Sequence, residues 1–272
     1  MKIDIGKSLV NASGDKNLCR AGRRLHFLHV PKCGGTTTRY LLEAAASIRG
    51  DTVFNAAGAF SREDVRLGDE ATARIVLSHS PPKRRFDDED TAYFTVLRNP
   101  VSRGTSLLQH VAARISGARW KPEKILGGLS SAALNHATFL IGWQAGDNDL
   151  ERSLARAKRR IESDLAFFGL QERFSEFASL LACFVSLEGF IYPRFQVAEV
   201  ECDISDVMLE QLHERSQFDR DLYRFAENLY QERYSKLFAD DAYLKPRQMR
   251  SYVSLEYDDQ NDVVEQSLVK FR

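Results

Sequence analysis

Apolar side chains occupy both parities from Arg24 to Val30, with Leu25 and Phe27 on one face and Leu28 and Val30 on the other. A strand that is apolar on both faces belongs at the centre of a parallel sheet covered on both sides. The run stops at Pro31, and a helical pattern takes over from about Thr37 to Ile48. Residues 74–78 predict a second strand, ending at His79-Ser80-Pro81-Pro82, and residues 92–98 predict a third. Asn99 then supplies an N-cap and Pro100 a first-turn residue, so a helix opens there.

Beyond this point the 3.6-residue period dominates. It predicts helices over 131–141, 150–163, 173–186, 205–215 and 219–238, with a strand over 165–170 among them. The last helix carries Leu222, Phe225, Ala226 and Leu229 as a packing stripe. The chain divides into a loosely ordered arm over 1–22, a domain over 23–245, and a tail over 246–272 whose structure the pattern does not resolve. The fold class is α/β, with a parallel central sheet and a helical C-terminal part.

Composition narrows the picture by exclusion. A chain of 272 residues is long enough for one substantial core. Basic and acidic residues balance at 38 each, so no global charge argues for nucleic acid or an anionic membrane as partner. Anion recognition has to come from local clusters. Cys19, Cys33, Cys183 and Cys202 show no C-x-x-C spacing, which fits neither a zinc site nor a disulfide framework. No apolar stretch approaches the about 18 residues of a membrane span, and residues 1–22 lack the apolar core of a signal peptide. A cytoplasmic protein with no membrane span is the expectation; oligomeric state is open.

The chemistry concentrates at two strand ends. After the first strand comes Pro31-Lys32-Cys33-Gly34-Gly35-Thr36-Thr37, and then the helix. Strand, glycine turn and helix N-terminus together point backbone N–H groups and partial positive charge at a phosphate. This is not the nucleoside-triphosphatase loop, in which lysine follows the second glycine, because Lys32 precedes both. No later strand ends in a convincing acidic metal ligand. After the third strand comes Arg98-Asn99-Pro100-Val101-Ser102-Arg103, reaching Ser106. Arginine offers a forked donor set suited to phosphate, and serine a short hydroxyl donor.

Together these two segments resemble the 5′-phosphosulfate loop and the 3′-phosphate site of sulfotransferases that use 3′-phosphoadenosine 5′-phosphosulfate (PAPS). The likeness is nearest to the carbohydrate or glycan type and its soluble bacterial members. Weaker echoes lie in Asn135–Leu140, in Phe168-Gly169-Leu170-Gln171-Glu172-Arg173-Phe174, and in Asp221–Ala226, so the resemblance spans about residues 24–238. It implies a three-layer, P-loop-like sulfotransferase fold. It also implies sulfuryl transfer from PAPS to a hydroxyl of a carbohydrate or glycosylated acceptor, with no metal required. Lys32, Cys33, Gly34, Gly35, Thr36 and Thr37 would hold the 5′ end, and Arg98 and Ser106 the 3′-phosphate. Lys32 would also assist the leaving phosphate, and His79 is the candidate base.

Several residues keep two readings. Arg103 either meets the nucleotide or pairs with a carboxylate, and Arg173 either meets the nucleotide or makes a salt bridge at a helix start. His79 is either the base or an ordinary turn histidine, with Glu43, Asp87 and Asp88 as carboxylate alternatives. Cys33 either fills space or, at a helix N-terminus, has a lowered pKa. His26 and His29 read as structural. Lys83-Arg84-Arg85 is either a solvated face or a meeting point for an anionic acceptor. Two other functions stay open: a small-molecule kinase using ATP, and a nucleotide-binding protein without catalysis.

Overall fold

The computed structural model describes residues 23–56, 66–82, 86, 88–114, 121–185, 190–191, 204–235, 238, 251–257 and 263–270. The arm over 1–22, the Lys83-Arg84-Arg85 cluster and Asp87 lie outside the described residues. Six parallel strands form the central sheet: β1 (Arg24–Leu28), β2 (Thr52–Asn55), β3 (Arg66–Leu67), β4 (Ile75–Ser78), β5 (Thr91–Leu97) and β6 (Phe167–Leu170). Their order across the sheet is β3-β2-β4-β1-β5-β6. The residues of β1, β4, β5 and β6 are buried at every position, so both faces are covered. The α/β class and the parallel sheet expected from the sequence are therefore observed.

Phenylalanines tie the centre of the sheet together in register. Phe27 pairs with Phe94 and Phe94 with Phe167 across three neighbouring strands. Their rings stack at 5.3 and 4.8 Å between centroids. Such pairs add about 0.5–1.5 kcal/mol each beyond their area burial. Thr95 reinforces the join by donating its hydroxyl to the Leu28 carbonyl at 2.8 Å. The ends of β1 and β5 are thus fixed against each other.

Helices account for most of the rest: α1 (Gly35–Arg49), α2 (Pro100–Arg114), α3 (Pro122–Gly128), α4 (Ser131–Leu134), α5 (His136–Gly142), α6 (Leu150–Arg159), α7 (Phe174–Phe184), α8 (Asp206–Arg215) and α9 (Gln217–Tyr234). The predicted helix over 131–141 is two short ones, because Asn135 leaves helical geometry with φ −110° and ψ 43°. The predicted helix over 150–163 ends as a π turn from Arg160 to Asp164. One helix start, α3, and strands β2 and β3 go beyond the sequence pattern. Strands follow in the tail over 246–272, which the sequence pattern does not resolve. β8 (Ser251–Tyr257) and β9 (Val263–Lys270) pair antiparallel, and β7 (Phe190–Ile191) runs parallel to β8.

The topology sets where ligands belong. The chain leaves β1 toward β2 on one side of the sheet, and leaves β5 toward β6 on the other. Adjacent strands whose outgoing connections diverge open a crevice at their carboxyl ends, the usual ligand site of such sheets. The two segments singled out from the sequence lie on its two sides.

Candidate functional site

The loop after β1 has the geometry of an anion nest. Lys32 has φ 68° and Gly34 has φ 78°, while Cys33 between them does not have positive φ. Alternating signs of this kind turn successive N–H groups to one side. Gly34 then serves as the N-cap of α1 without any side-chain capping bond. The first N–H groups of a helix lack intrahelical partners, and among the described residues no side chain caps them here. Lys32 is a lysine in the left-handed region, a conformation that costs a non-glycine residue about 1–2 kcal/mol. Backbone strain of this kind collects at functional loops.

The two loop glycines are required by their neighbours. A Cβ on Gly35 would lie 1.5 Å from Nε2 of His29, and one on Gly34 would lie 2.9 Å from the Phe174 ring. Thr36 is exposed and Thr37 half-buried, whereas Thr38 turns its hydroxyl back to the Gly34 carbonyl at 3.1 Å. Cys33 is buried, and burial pushes its thiol up to about 12. It fills space, and the lowered pKa considered for it from its helix position does not arise.

Three histidines meet beside this loop. Leu28 of β1 is in register with Ser78 of β4, so His29 and His79 leave adjacent strand ends together. Their rings are 4.0 Å apart between centroids. Nδ1 of His79 lies 2.8 Å from the His29 carbonyl, which accepts only. The bonded nitrogen therefore carries the proton, leaving Nε2 with the lone pair. His136, at the start of α5, lies close to both, and its Nε2 is buried without a partner. Burial holds all three below the ordinary histidine range: His29 at about 3, His136 at about 4, and His79 lowered but opposed by its bond to His29. The sequence reading gave His29 only a structural role and did not single out His136. The clash at Gly35 was the signal for His29, but it appears only once β1 and α1 are packed.

Arg98 follows β5 on the opposite side of the loop. Its Nη1 donates to the Lys32 carbonyl at 3.1 Å, and its Nε is buried without a partner. Ser106 is buried on α2 with its hydroxyl also unpartnered. Asn99 caps α2 as expected, its Oδ1 accepting from the N–H groups of Val101 and Ser102 at 3.1 and 3.2 Å. A small cleft here is lined by Cys33, Arg98, Arg103, Asp219, Leu222 and Tyr223.

Arg103 lines this cleft, with one of its nitrogens engaged by protein. Its Nη2 donates to the carbonyls of Ala133 and Leu134 at 3.1 and 2.5 Å and lies 3.6 Å from the Asp219 carboxylate. With 1% exposure it pairs with a carboxylate, while its Nε and Nη1 are buried without partners and leave the nucleotide reading open. Arg173 likewise pairs with Glu176 at 3.1 Å and lies over the Tyr230 ring at 5.3 Å. Its neighbour Glu172 is the residue of that segment joined to the β5 loop. It accepts from the Asn99 N–H at 2.9 Å and from the Tyr223 hydroxyl at 3.0 Å. Among the carboxylate alternatives to His79, Glu43 is buried on α1 beside Arg39. Asp88 accepts from Thr91 and from the Asp90 N–H in a turn.

Lys32, Cys33, Gly34, Gly35, Thr36, Thr37, His79 and Arg98 thus come together at three adjacent strand ends. Ser106 sits within α2; Arg103 pairs with Asp219 and Arg173 with Glu176, and each keeps a buried nitrogen without a partner. Among the described residues no cluster of His, Cys, Asp or Glu is arranged to hold a metal ion. No described helix is long and apolar enough to cross a membrane.

No protein-family model matches this sequence, and no curated protein matches it. Among solved structures, mouse sulfotransferase SULT7A1 complexed with PAP aligns over 87% of this chain and 91% of that chain. The identity is 11% and the TM-score 0.35, a likeness too distant to assign a function.

Proposed function

We propose that this protein is a PAPS-dependent sulfotransferase that moves a sulfuryl group to a hydroxyl of a carbohydrate or glycosylated acceptor. One observation carries the reading: the order β4-β1-β5 at the crevice sets His79, the Lys32 loop and Arg98 side by side. Neighbouring strands are about 4.8 Å apart, so the ends of β4 and β5 lie about 10 Å from each other with the loop between them. A base on one side, a 5′-phosphate nest in the middle and a guanidinium on the other match an acceptor, a phosphosulfate and a 3′-phosphate in turn. The unpartnered Nε of Arg98 and hydroxyl of Ser106 are donors suited to that 3′-phosphate.

Sulfuryl transfer, like phosphoryl transfer, depends mainly on positioning and charge stabilisation. Nε2 of His79 takes the acceptor's proton as its oxygen forms the new S–O bond. The bond between sulfur and the 5′-phosphate oxygen breaks in line, and charge builds on that oxygen. Lys32 and the uncapped N–H groups of α1 meet it. The bond from His79 Nδ1 to the His29 carbonyl holds the imidazole in the tautomer this step needs.

Release of 3′,5′-adenosine bisphosphate from PAPS, followed with a panel of saccharide, phenolic and lipid hydroxyls, tests the reading. Acceptor-dependent release that favours saccharides and is lost in His79→Ala supports it. Release that favours phenols or lipids removes the carbohydrate assignment. Transfer from ATP with Mg²⁺, and none from PAPS, replaces it with a kinase.

A further inference from the structure

Arg98 makes a hydrogen bond that holding a phosphate does not require. It reaches from the end of β5 to the carbonyl of Lys32, in the loop after β1, at 3.1 Å. Among the described residues, Lys32 is the one non-glycine with positive φ, at 68°. A lysine stays in that region because its surroundings hold it there. The carbonyl that Arg98 grips belongs to the peptide whose N–H is that of Cys33, inside the nest. The guanidinium has five N–H donors, and its buried Nε is without a partner, so the same side chain keeps a donor for a second acceptor.

We infer that Arg98 is a positioning residue for the 5′-phosphate loop as well as a ligand of the 3′-phosphate, so that the two phosphate sites of the donor are energetically coupled. The inference rests on the PAPS reading above. A 3′-phosphate seated on the guanidinium restrains it against the Lys32 carbonyl, and so steadies the backbone that aims the Lys32 side chain and the Cys33 N–H. A donor without that phosphate leaves the loop less restrained. Discrimination against such a donor then appears in turnover as well as in binding, because the interaction that suffers is the one aimed at the breaking bond.

Adenosine 5′-phosphosulfate separates this from simple contact, since it carries the 5′ group and has no 3′-phosphate for Arg98 to hold. Calorimetric titration of wild type and Arg98→Ala, with adenosine 5′-phosphosulfate and with 3′,5′-adenosine bisphosphate, reads both sites. Coupling predicts that Arg98→Ala weakens the phosphosulfate by about fivefold or more, the lower range of coupling between sites. It also predicts a lower kcat at saturating PAPS. An Arg98→Ala protein that loses bisphosphate affinity yet binds adenosine 5′-phosphosulfate like wild type, with kcat unchanged, overturns the coupling and leaves the PAPS reading standing. Folded wild type that binds neither ligand overturns both. If Arg98→Ala does not fold, Arg98→Lys serves with the same expectations, because a single ammonium lacks the fork that spans two acceptors.

Discussion

Two helix starts near the site solve one physical problem in opposite ways. α5 begins at a buried place, and the Asp219 carboxylate accepts from its Ala137 and Thr138 N–H groups at 3.1 and 2.7 Å. Asn135 completes the clasp, accepting from the Asp219 N–H at 3.1 Å and donating to the Arg215 carbonyl at 2.8 Å. The start of α1, by contrast, is given a glycine cap and no side-chain acceptor. Positive charge at the α5 terminus is already neutralised by protein. The same charge at α1 is presented at the carboxyl end of the sheet, beside Lys32, for an anion brought from outside. Stability is built into the first helix start, and on the proposed function binding is built into the second.

Substitutions at the two starts separate these roles, and the largest effect belongs to the open one. Lys32→Ala should lower kcat by about a thousandfold, the scale of losing one charge aimed at a developing oxyanion, or about 4 kcal/mol. Its thermal midpoint should stay near wild type. Asp219→Ala should do the reverse, costing about 3 kcal/mol in urea unfolding because Arg103 is left buried without its carboxylate. A fall in kcat with no loss of stability in that variant would erase the distinction.

Gly35→Ala joins both effects at intermediate size. The added methyl meets the His29 ring and is expected to cost about 2 kcal/mol by overpacking, while also shifting the loop. Urea unfolding and bisphosphate affinity should both worsen, whereas Gly127→Ala within α3, where a Cβ meets nothing within 4 Å, should leave affinity unchanged and raise stability by about 0.5–1 kcal/mol.

Acid separates the histidines. As the proposed base His79 must be neutral, and burial lowers its pKa, so kcat/KM should hold through neutrality and fall only below the ordinary 6.5. His79→Gln should remove that limb. His26 is buried near Tyr93, and its pKa drops from 6.5 to about 3. The unfolded chain therefore takes up a proton between those values that the folded one does not. Stability should fall as pH falls from 6.5 toward 3, by at most about 1.4 kcal/mol per pH unit for this group. His26→Phe should flatten the slope of the urea midpoint between pH 7 and pH 5.

The parts of the molecule that were legible in the sequence are those written in contiguous residues. The run Leu25–Thr37 carries its strand, turn and helix together, and Arg98–Pro100 carries a strand end and a cap. Strands β2 and β3 are short, and β3 is the edge of the sheet. Only Val53 of Thr52–Asn55 is buried, and a two-residue strand has no period to read. The pairing of Arg103 depends on Asp219, which is distant in sequence and brought near by α9. A hint existed, because Asp219 falls on the stripe of Leu222, Ala226 and Leu229, where a charge needs a buried partner. The meeting of His29, His79 and His136 depends on the register of β1 with β4 and on the start of α5, which no local pattern encodes.

The central claim is that the crevice between β1 and β5 binds a nucleotide phosphorylated at both the 5′ and 3′ positions. Calorimetric titration with 3′,5′-adenosine bisphosphate, against ATP with Mg²⁺ and with Arg98→Ala alongside, tests it most directly. The account predicts tight bisphosphate binding, at least about tenfold weaker in Arg98→Ala for the loss of a charged phosphate contact, with ATP weak. Folded protein that ignores the bisphosphate and binds ATP would contradict it.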